Sequence, residues 1–178
     1  MERETMEYDV VVVGGGPSGL STAIKFAQMN KENGTDYSIC LLEKGSEIGA
    51  HILSGNVFQT TALDELIPNW KDLNAPLNVP VKKDKLLFLL EKIGLPVPAF
   101  IMPNMNNHGN YVISLGNLCR WLAEQAENLG VEIFPGFPAS KLLYEGDKVV
   151  GVQNGDIGID ASRELKRGNE PGIEIRAK

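Results

Sequence analysis

The sequence predicts an α/β fold that opens with a parallel βαβ unit, and three observations in the first 43 residues support this prediction. The β-branched apolar run at 8–13 has the pattern of a buried parallel strand. A glycine-rich turn at 14–19 follows, and then apolar residues at helical spacing over 20–27. A second apolar run at 39–42 ends in Glu43. Strand, glycine turn, helix, strand and acid, in this order, are typical of a Rossmann-like dinucleotide-binding unit.

Residues of the turn suit this role for physical reasons. Gly14 permits a tight strand-to-helix turn, Gly16 lets a pyrophosphate lie against the backbone, and Gly19 lets the helix pack closely on the sheet. Pro17 gives up only an N–H that would lack a helical partner, and the helix N-terminus attracts phosphate. We expect Glu43 to accept hydrogen bonds from the adenosine ribose, which disfavours a 2′-phosphate. The alternative is a structural βα turn that binds no ligand.

Composition narrows the class of protein. The chain has 178 residues, 43% of them hydrophobic, and a formal net charge of −6, which argues against nucleic acid as a partner. No apolar stretch approaches the ~20 residues of a membrane span, and residues 1–7 have the character of neither a signal nor a transit peptide. Cys40 and Cys119 are expected to be buried, reduced thiols, too few for a cluster that needs four thiolates.

After Lys44 the alternating strand–helix rhythm stops. We predict a loop at 45–55, a helix at 61–70 with one apolar stripe, and a short helix at 86–93 before an extended proline-containing stretch. Regular patterns return with a predicted helix from Ser114 to Gly130 and a strand at 131–134. We then predict a hairpin of 141–144 and 148–152, a loop at 154–172 and an edge strand at 173–176. This layout favours FAD over NAD, because it is that of the two-dinucleotide flavoproteins.

Several inner segments resemble one family of flavoproteins, the electron transfer flavoprotein–ubiquinone oxidoreductases. The resemblance runs from about residue 7 to about residue 158 and is strongest in EKGSEIGAHILSG at 43–55, APLN at 75–78, NNHGNY at 106–111, EQAE at 124–127, GVEI at 130–133 and PGF at 135–137. These motifs are more specific than the glycine turn.

The resemblance implies an enzyme, an electron-transferring-flavoprotein dehydrogenase, that passes electrons from reduced electron transfer flavoprotein to ubiquinone through FAD and a [4Fe-4S] cluster. It implies a peripheral protein on the cytoplasmic face of a bacterial inner membrane or the matrix face of the mitochondrial inner membrane. The implied residues for the ADP half of FAD are Gly14, Gly15, Gly16, Pro17, Ser18, Gly19 and Glu43, with Ala139 at the adenine. Those for the ribityl and flavin side are Lys44, Gly49, Ala50, His51, Ser54 and Gly55. Arg120 is expected either to reach the phosphate or ribityl chain or to be a solvated helix-face residue.

The family proteins are longer than this chain, so we expect residues 1–178 to be a C-terminally incomplete FAD-binding domain. Its parts would be the βαβ unit (1–48), an inserted α+β segment (49–115) and a helix, strand and β-meander (116–178). No catalytic residue or metal ligand is assigned, because electron transfer needs cofactor placement and not acid–base groups. The alternatives are a flavoprotein oxidoreductase of the geranylgeranyl-reductase type and a non-catalytic FAD-binding fragment.

The inserted segment carries a prediction of membrane contact. Five apolar residues could form an interfacial helix with the run 86–90 beside it: Phe58, Leu63, Leu66, Ile67 and Trp70. The alternative is that the same stripe faces the protein core.

Overall fold

The computed structural model describes residues 3–102, 105–159 and 165–178, with the side chains of 99, 157–159 and 165–170 left out of the description. It falls into two compact units. One contains the residues up to Ile52 together with those from Cys119 onward, and the other is Leu53–Leu118. The predicted insertion 49–115 overlaps the second unit.

The helices of the described chain are α1 (Pro17–Asn33), α2 (Thr61–Leu66) and α3 (Leu115–Asn128), with a 3-10 turn at Ala99–Ile101. The strands are β1 (Thr5–Tyr8), β2 (Val10–Val13), β3 (Ile39–Glu43), β4 (Ser54–Phe58), β5 (Val79–Pro80), β6 (Leu86–Leu89), β7 (Gly94–Val97), β8 (Tyr111–Ser114), β9 (Glu132–Pro135), β10 (Ala139–Glu145), β11 (Lys148–Asn154), β12 (Ile157–Ile159), β13 (Leu165–Glu170) and β14 (Glu174–Ala177).

The βαβ unit forms as predicted. Strands β2, β3 and β9 make a parallel sheet in that order, with Val11 opposite Cys40 and Leu41 opposite Ile133. Helix α1 buries Leu20, Ala23, Ile24 and Ala27 and ends at Gly34, whose left-handed φ of 65° closes the last turn. The carboxyl ends of β2 and β3 therefore meet at the start of α1, which is where a parallel α/β sheet places its ligand.

A second sheet packs on this one through a shared apolar core. Its order is β1-β14-β11-β10, and the core cluster is Tyr8, Cys40, Leu42, Val152 and Ile175. The predicted edge position of the last strand is wrong, because β14 lies between β1, to which it is parallel, and β11, to which it is antiparallel. The buried side chain of Ile175 accounts for this central place.

The predicted first strand is interrupted, and the predicted long loop contains strands. Asp9 divides the apolar run into β1 and β2, since its carboxylate accepts hydrogen bonds from the backbone N–H and hydroxyl of Ser38, both at 2.8 Å. The predicted loop 154–172 includes the antiparallel pair β12–β13, while its residues 160–164 lie outside the described chain.

In the second unit, β4, β8 and β5 form an antiparallel sheet in that order, and α2 follows β4 along the chain. The predicted helix 61–70 ends at Leu66, two residues before Pro68, whose ring cannot continue it. Most of its stripe is nevertheless buried: Leu63, Ile67 and Trp70 are each less than 8% exposed, and Leu66 is half-buried. The indole N–H of Trp70 donates to Asp64 at 2.7 Å. The stripe therefore faces protein, and the predicted interfacial helix is wrong.

The predicted helix 86–93 is also wrong, because this segment is the first strand and turn of a β-hairpin. Strands β6 and β7 pair antiparallel from Leu86 opposite Val97 to Leu89 opposite Gly94. Most apolar residues of this hairpin and of the chain after it are exposed: Leu87, Phe88, Leu89, Leu90, Ile93, Leu95, Phe100, Ile101, Met102 and Met105. We call these ten residues the apolar hairpin surface.

Candidate dinucleotide-binding site

The glycine turn is built by the end of β2 and the start of α1. Gly14 has a φ of +107°, a conformation that disfavours any residue with a side chain, and its N–H donates to Leu42 O at 2.7 Å. Gly16 is the N-cap of α1, and Pro17 opens the helix. No side chain of the described residues caps this first turn, so backbone N–H groups there point to where an anion could bind.

The spaces at Gly16 and Gly19 differ. A Cβ atom on Gly16 would have no heavy atom within 4 Å, whereas one on Gly19 would lie 1.9 Å from Gly14 O. Gly19 thus permits close helix–strand packing, and Gly16 faces open space. The third glycine, Gly15, is buried, and a Cβ there would meet the Ile48 side chain at 2.3 Å.

The carboxylate of Glu43 lies against the turn. Its Oε2 accepts a hydrogen bond from Gly15 N at 2.8 Å and its Oε1 accepts one from Gly45 N at 2.7 Å. An ionised carboxylate offers about four acceptor sites, so about two remain. The backbone therefore fixes the side chain at the end of β3 while leaving acceptor capacity for ligand hydroxyls.

A cavity of about 220 Å³ opens beside this carboxylate. It brings together four residues that the sequence singled out, Gly14, Glu43, Lys44 and Ala139, and its remaining lining residues are Val13, Leu42, Phe137 and Pro138. None of these four was among the predicted site residues, although Phe137 belongs to the PGF motif at 135–137. That segment is held over the end of β3 by hydrogen bonds from Phe137 N to Glu43 O at 2.9 Å and from Gly136 N to Gly45 O at 2.7 Å.

The other predicted residues do not line this cavity. Ser18 is exposed in the first turn of α1, and Gly49, Ala50 and His51 follow in the loop after β3. Of these, Gly49 has a φ of 82°, and His51 is exposed with its Nδ1 close to Gly45. Ser54 and Gly55 begin β4 in the second unit.

Arg120 forms an ion pair with Glu47 at 3.2 Å between two exposed side chains. These two residues line a separate cavity of about 170 Å³ next to α3. Surface pairs of this kind contribute little to stability. The position of Arg120 agrees with the solvated helix-face alternative, in which its charge is partly balanced by Glu47.

The site suits the ADP half of FAD. An uncapped helix N-terminus faces the open space at Gly16, a carboxylate is held at the end of β3, and a mainly apolar cavity lies next to it. These features match, respectively, a pyrophosphate, a ribose and an adenine.

Neither cysteine is placed for redox or metal chemistry. Both are fully buried, and burial raises the pKa of Cys40 to about 12 and that of Cys119 to about 11. Within the described ranges no three acidic, histidine or cysteine side chains gather as metal ligands, and no helix there is both long and apolar enough to cross a bilayer.

Comparisons with known proteins agree with this geometry. A family model described as an NAD(P)-binding Rossmann-like domain matches residues 12–73. Among solved structures, a geranylgeranyl bacteriochlorophyll reductase-like protein from Thermoplasma acidophilum is 25% identical, with a TM-score of 0.68 over 98% of this chain and 38% of that one. A myxobacterial chondrochloren halogenase, described as a new variant of FAD-dependent halogenases, is 18% identical, with a TM-score of 0.63 over 96% of this chain and 36% of that one. These neighbours confirm the predicted α/β fold.

Curated relatives are closer in sequence. The electron transfer flavoprotein-ubiquinone oxidoreductase of Pseudomonas aeruginosa is 55% identical over 100% of this chain and 33% of its own length. The mitochondrial proteins of that name from Oryza sativa and Mus musculus are 49% and 48% identical over 99% and 100% of this chain. The chain spans about a third of the length of these relatives. It is therefore confirmed as a relative of the electron transfer flavoprotein–ubiquinone oxidoreductases.

Proposed function

We propose that this chain is the FAD-binding part of an enzyme that takes electrons from reduced electron transfer flavoprotein and passes them to ubiquinone. The observation that carries the proposal is the 55% identity, along the full chain, to a bacterial protein named for that reaction. The open space at Gly16 and the cavity beside Glu43 support the proposal, because they suit the ADP half of FAD.

In this proposal the residues of the chain bind and orient FAD. The N-terminus of α1 binds the pyrophosphate, with Gly16 leaving room for it, and Glu43 accepts hydrogen bonds from the ribose. Ala139 and Phe137 border the adenine, while the loop with Gly49, Ala50 and His51 leads toward the flavin. FAD, when bound, supplies the ability to accept electrons from one partner and donate them to another.

The [4Fe-4S] cluster implied by the resemblance would need ligands from outside this chain. Such a cluster takes four thiolates, whereas the chain has two cysteines, both buried as thiols. We therefore place the cluster, and with it part of the electron route, in the portion of the longer relatives that this chain does not span.

We also propose peripheral attachment to the membrane, through the apolar hairpin surface in place of the stripe predicted from the sequence. Leu89 and Phe100 are 74% and 83% exposed, and full burial of one such side chain stabilises by about 2 kcal/mol. The turn of the hairpin carries Glu91 and Lys92, so the hairpin would lie in the interface and not cross the bilayer. The attachment site would be the cytoplasmic face of a bacterial inner membrane or the matrix face of the mitochondrial inner membrane.

A segment exchange tests the proposed reaction. The matching third of the Pseudomonas relative is replaced by this chain, and electron transfer from reduced electron transfer flavoprotein to ubiquinone is measured. We expect the exchanged protein to retain flavin and activity. The matched control carries Gly16→Ala, which should bind flavin at least about ten-fold more weakly. An exchanged protein that is folded and yellow but does not reduce ubiquinone would refute the assignment.

A second candidate is a flavoprotein oxidoreductase of the geranylgeranyl-reductase type, favoured by the fold match to the Thermoplasma protein. Its 25% identity is about half of that to the ubiquinone oxidoreductases. The same exchange separates the two candidates, because a segment of the geranylgeranyl-reductase type would not support ubiquinone reduction. The third alternative, a non-catalytic FAD-binding fragment, is favoured if the exchanged protein binds FAD but transfers electrons to no acceptor.

A further inference from the structure

The second unit contains a cavity that the dinucleotide site does not use. Its volume is about 370 Å³, which lies at the lower end of the range of small-molecule sites. The chain before β6 forms one side, and the end of β7 with the segment around Met105 and His108 forms the other.

Three lysines give the otherwise largely apolar lining of this cavity a positive charge. Lys82, Lys83 and Lys85 all line it and all are exposed, and none has a carboxylate partner among the described residues. The one acidic lining residue, Asp84, accepts hydrogen bonds from the backbone N–H and side-chain amide of Asn107 at 3.0 and 2.9 Å. With three lysines and one aspartate, the lining has a formal charge of +2 in a chain of net charge −6.

The cavity lies at the base of the hairpin. Leu86 and Val97 pair across the first register of β6 and β7, and both line the cavity. The residues that follow, Leu87, Phe88 and Leu89, are between 49% and 74% exposed. The lysine-lined cavity and the apolar hairpin surface are thus adjacent along the chain.

We propose that this cavity binds the phosphate group of an anionic membrane lipid while the apolar hairpin surface rests in the interface. The inference rests on the membrane attachment proposed above and adds a headgroup class to it. Lysine ammonium groups are compact charges that favour phosphate, and basic residues next to a membrane-bound segment favour anionic leaflets. A free phosphate could meet the same cations, but only a lipid would also engage the hairpin.

Vesicle binding tests the inference. The full chain is sedimented with vesicles of phosphatidylcholine, and separately with vesicles that also contain phosphatidylglycerol, at low and high salt. Each lysine near an anionic surface contributes about a five-fold factor, so we expect an anionic preference on the order of 100-fold at low salt, weaker at high salt. The triple variant Lys82→Gln, Lys83→Gln, Lys85→Gln should bind both vesicle types to within a few-fold of each other.

A matched variant separates the cavity from net charge. Lys25, Lys141 and Lys148 are exposed lysines of the first unit, and their triple replacement by Gln changes the total charge equally. It should keep the preference for phosphatidylglycerol. Equal loss in both triple variants, or a preference that survives in the cavity variant, would overturn the inference. Circular dichroism of each variant shows that it is folded.

Two further measurements separate this inference from the membrane attachment on which it rests. The variant Phe88→Ser, Leu89→Ser should weaken binding to both vesicle types. If the wild-type chain binds neither type, the attachment itself fails; if it binds phosphatidylcholine equally well, only the headgroup assignment fails. Calorimetric titration with inorganic phosphate tests whether the cavity binds free phosphate. Tight phosphate binding without a preference for anionic vesicles would show that the ligand is not a lipid headgroup and would overturn the inference.

Discussion

Replacing Gly19 or Gly16 with alanine should separate the two roles of the glycine turn. In Gly19→Ala the new Cβ would lie 1.9 Å from the carbonyl oxygen of Gly14, whereas a comfortable carbon–oxygen contact is about 3.3 Å. Helix and turn would have to separate by about 1.4 Å. Both atoms in conflict belong to or adjoin the backbone, so no side chain can rotate away.

The expected magnitudes follow from that geometry. Overpacking costs up to about 3 kcal/mol, and the better helix propensity of alanine returns about 1 kcal/mol, so Gly19→Ala should lower the free energy of unfolding by about 2 kcal/mol. In a domain of this size that is roughly 4–8 °C in Tm. Gly16→Ala adds its Cβ to open space at a φ of −82°, and its stability should change by less than about 1 kcal/mol.

For flavin affinity we expect the reverse: Gly16→Ala should have a larger effect than Gly19→Ala. The Cβ of Gly16→Ala would occupy the space proposed for the pyrophosphate, and we expect FAD binding to weaken at least about ten-fold, or by about 1.4 kcal/mol. Urea unfolding measures the free energy of unfolding, and quenching of flavin fluorescence measures the affinity for FAD. If Gly19→Ala unfolds like the wild type, or Gly16→Ala binds FAD unchanged, the assignment of the two glycines is refuted.

Three further predictions concern single side chains. Glu43→Gln should lower the free energy of unfolding by about 1–3 kcal/mol and weaken FAD binding, because an amide nitrogen cannot accept the hydrogen bond that one carboxylate oxygen accepts; unchanged urea unfolding and flavin titration would contradict this. Asp156, hydrogen-bonded by Arg3, has a pKa depressed to about 2, so its contribution to stability is present above about pH 4 and lost as the pH falls toward 2. The urea midpoint of Asp156→Asn should therefore fall less than that of the wild type between about pH 4 and pH 2. An equal fall in both proteins would contradict this prediction. Cys40 and Cys119, with pKa values of about 12 and 11, should react with a thiol reagent at pH ~8 only after denaturant is added, and rapid native labelling would show that they are accessible.

The sequence predicted best those parts whose signals are local. The βαβ unit, the helix before Gly130 and the hairpin across Gly146 each carry a periodic run closed by a glycine. The residues 14–19 and Glu43 could be placed for the same reason, since the turn and the strand end fix them with backbone hydrogen bonds.

The predictions from sequence failed where contacts between distant parts of the chain determine the structure. The run 86–90 is apolar at every position, so periodicity cannot tell strand from helix, and its pairing with Gly94 and Pro96 settles the matter. The stripe of 61–70 has helical spacing, but Pro68 ends the helix while the fold still buries Trp70. The central place of β14 depends on β1, which is far away in the sequence.

The position of Glu43 also bears on how tightly a ligand can bind. Two backbone N–H groups, of Gly15 and Gly45, hold its carboxylate before any ligand arrives, so little side-chain freedom remains to be lost on binding. A flexible carboxylate would have to be ordered at a cost of about 0.5–1.5 kcal/mol. Glu43→Asp would keep the charge but draw it back by one methylene, and so could not reach both N–H groups. The site therefore depends on the length of this side chain as well as on its charge.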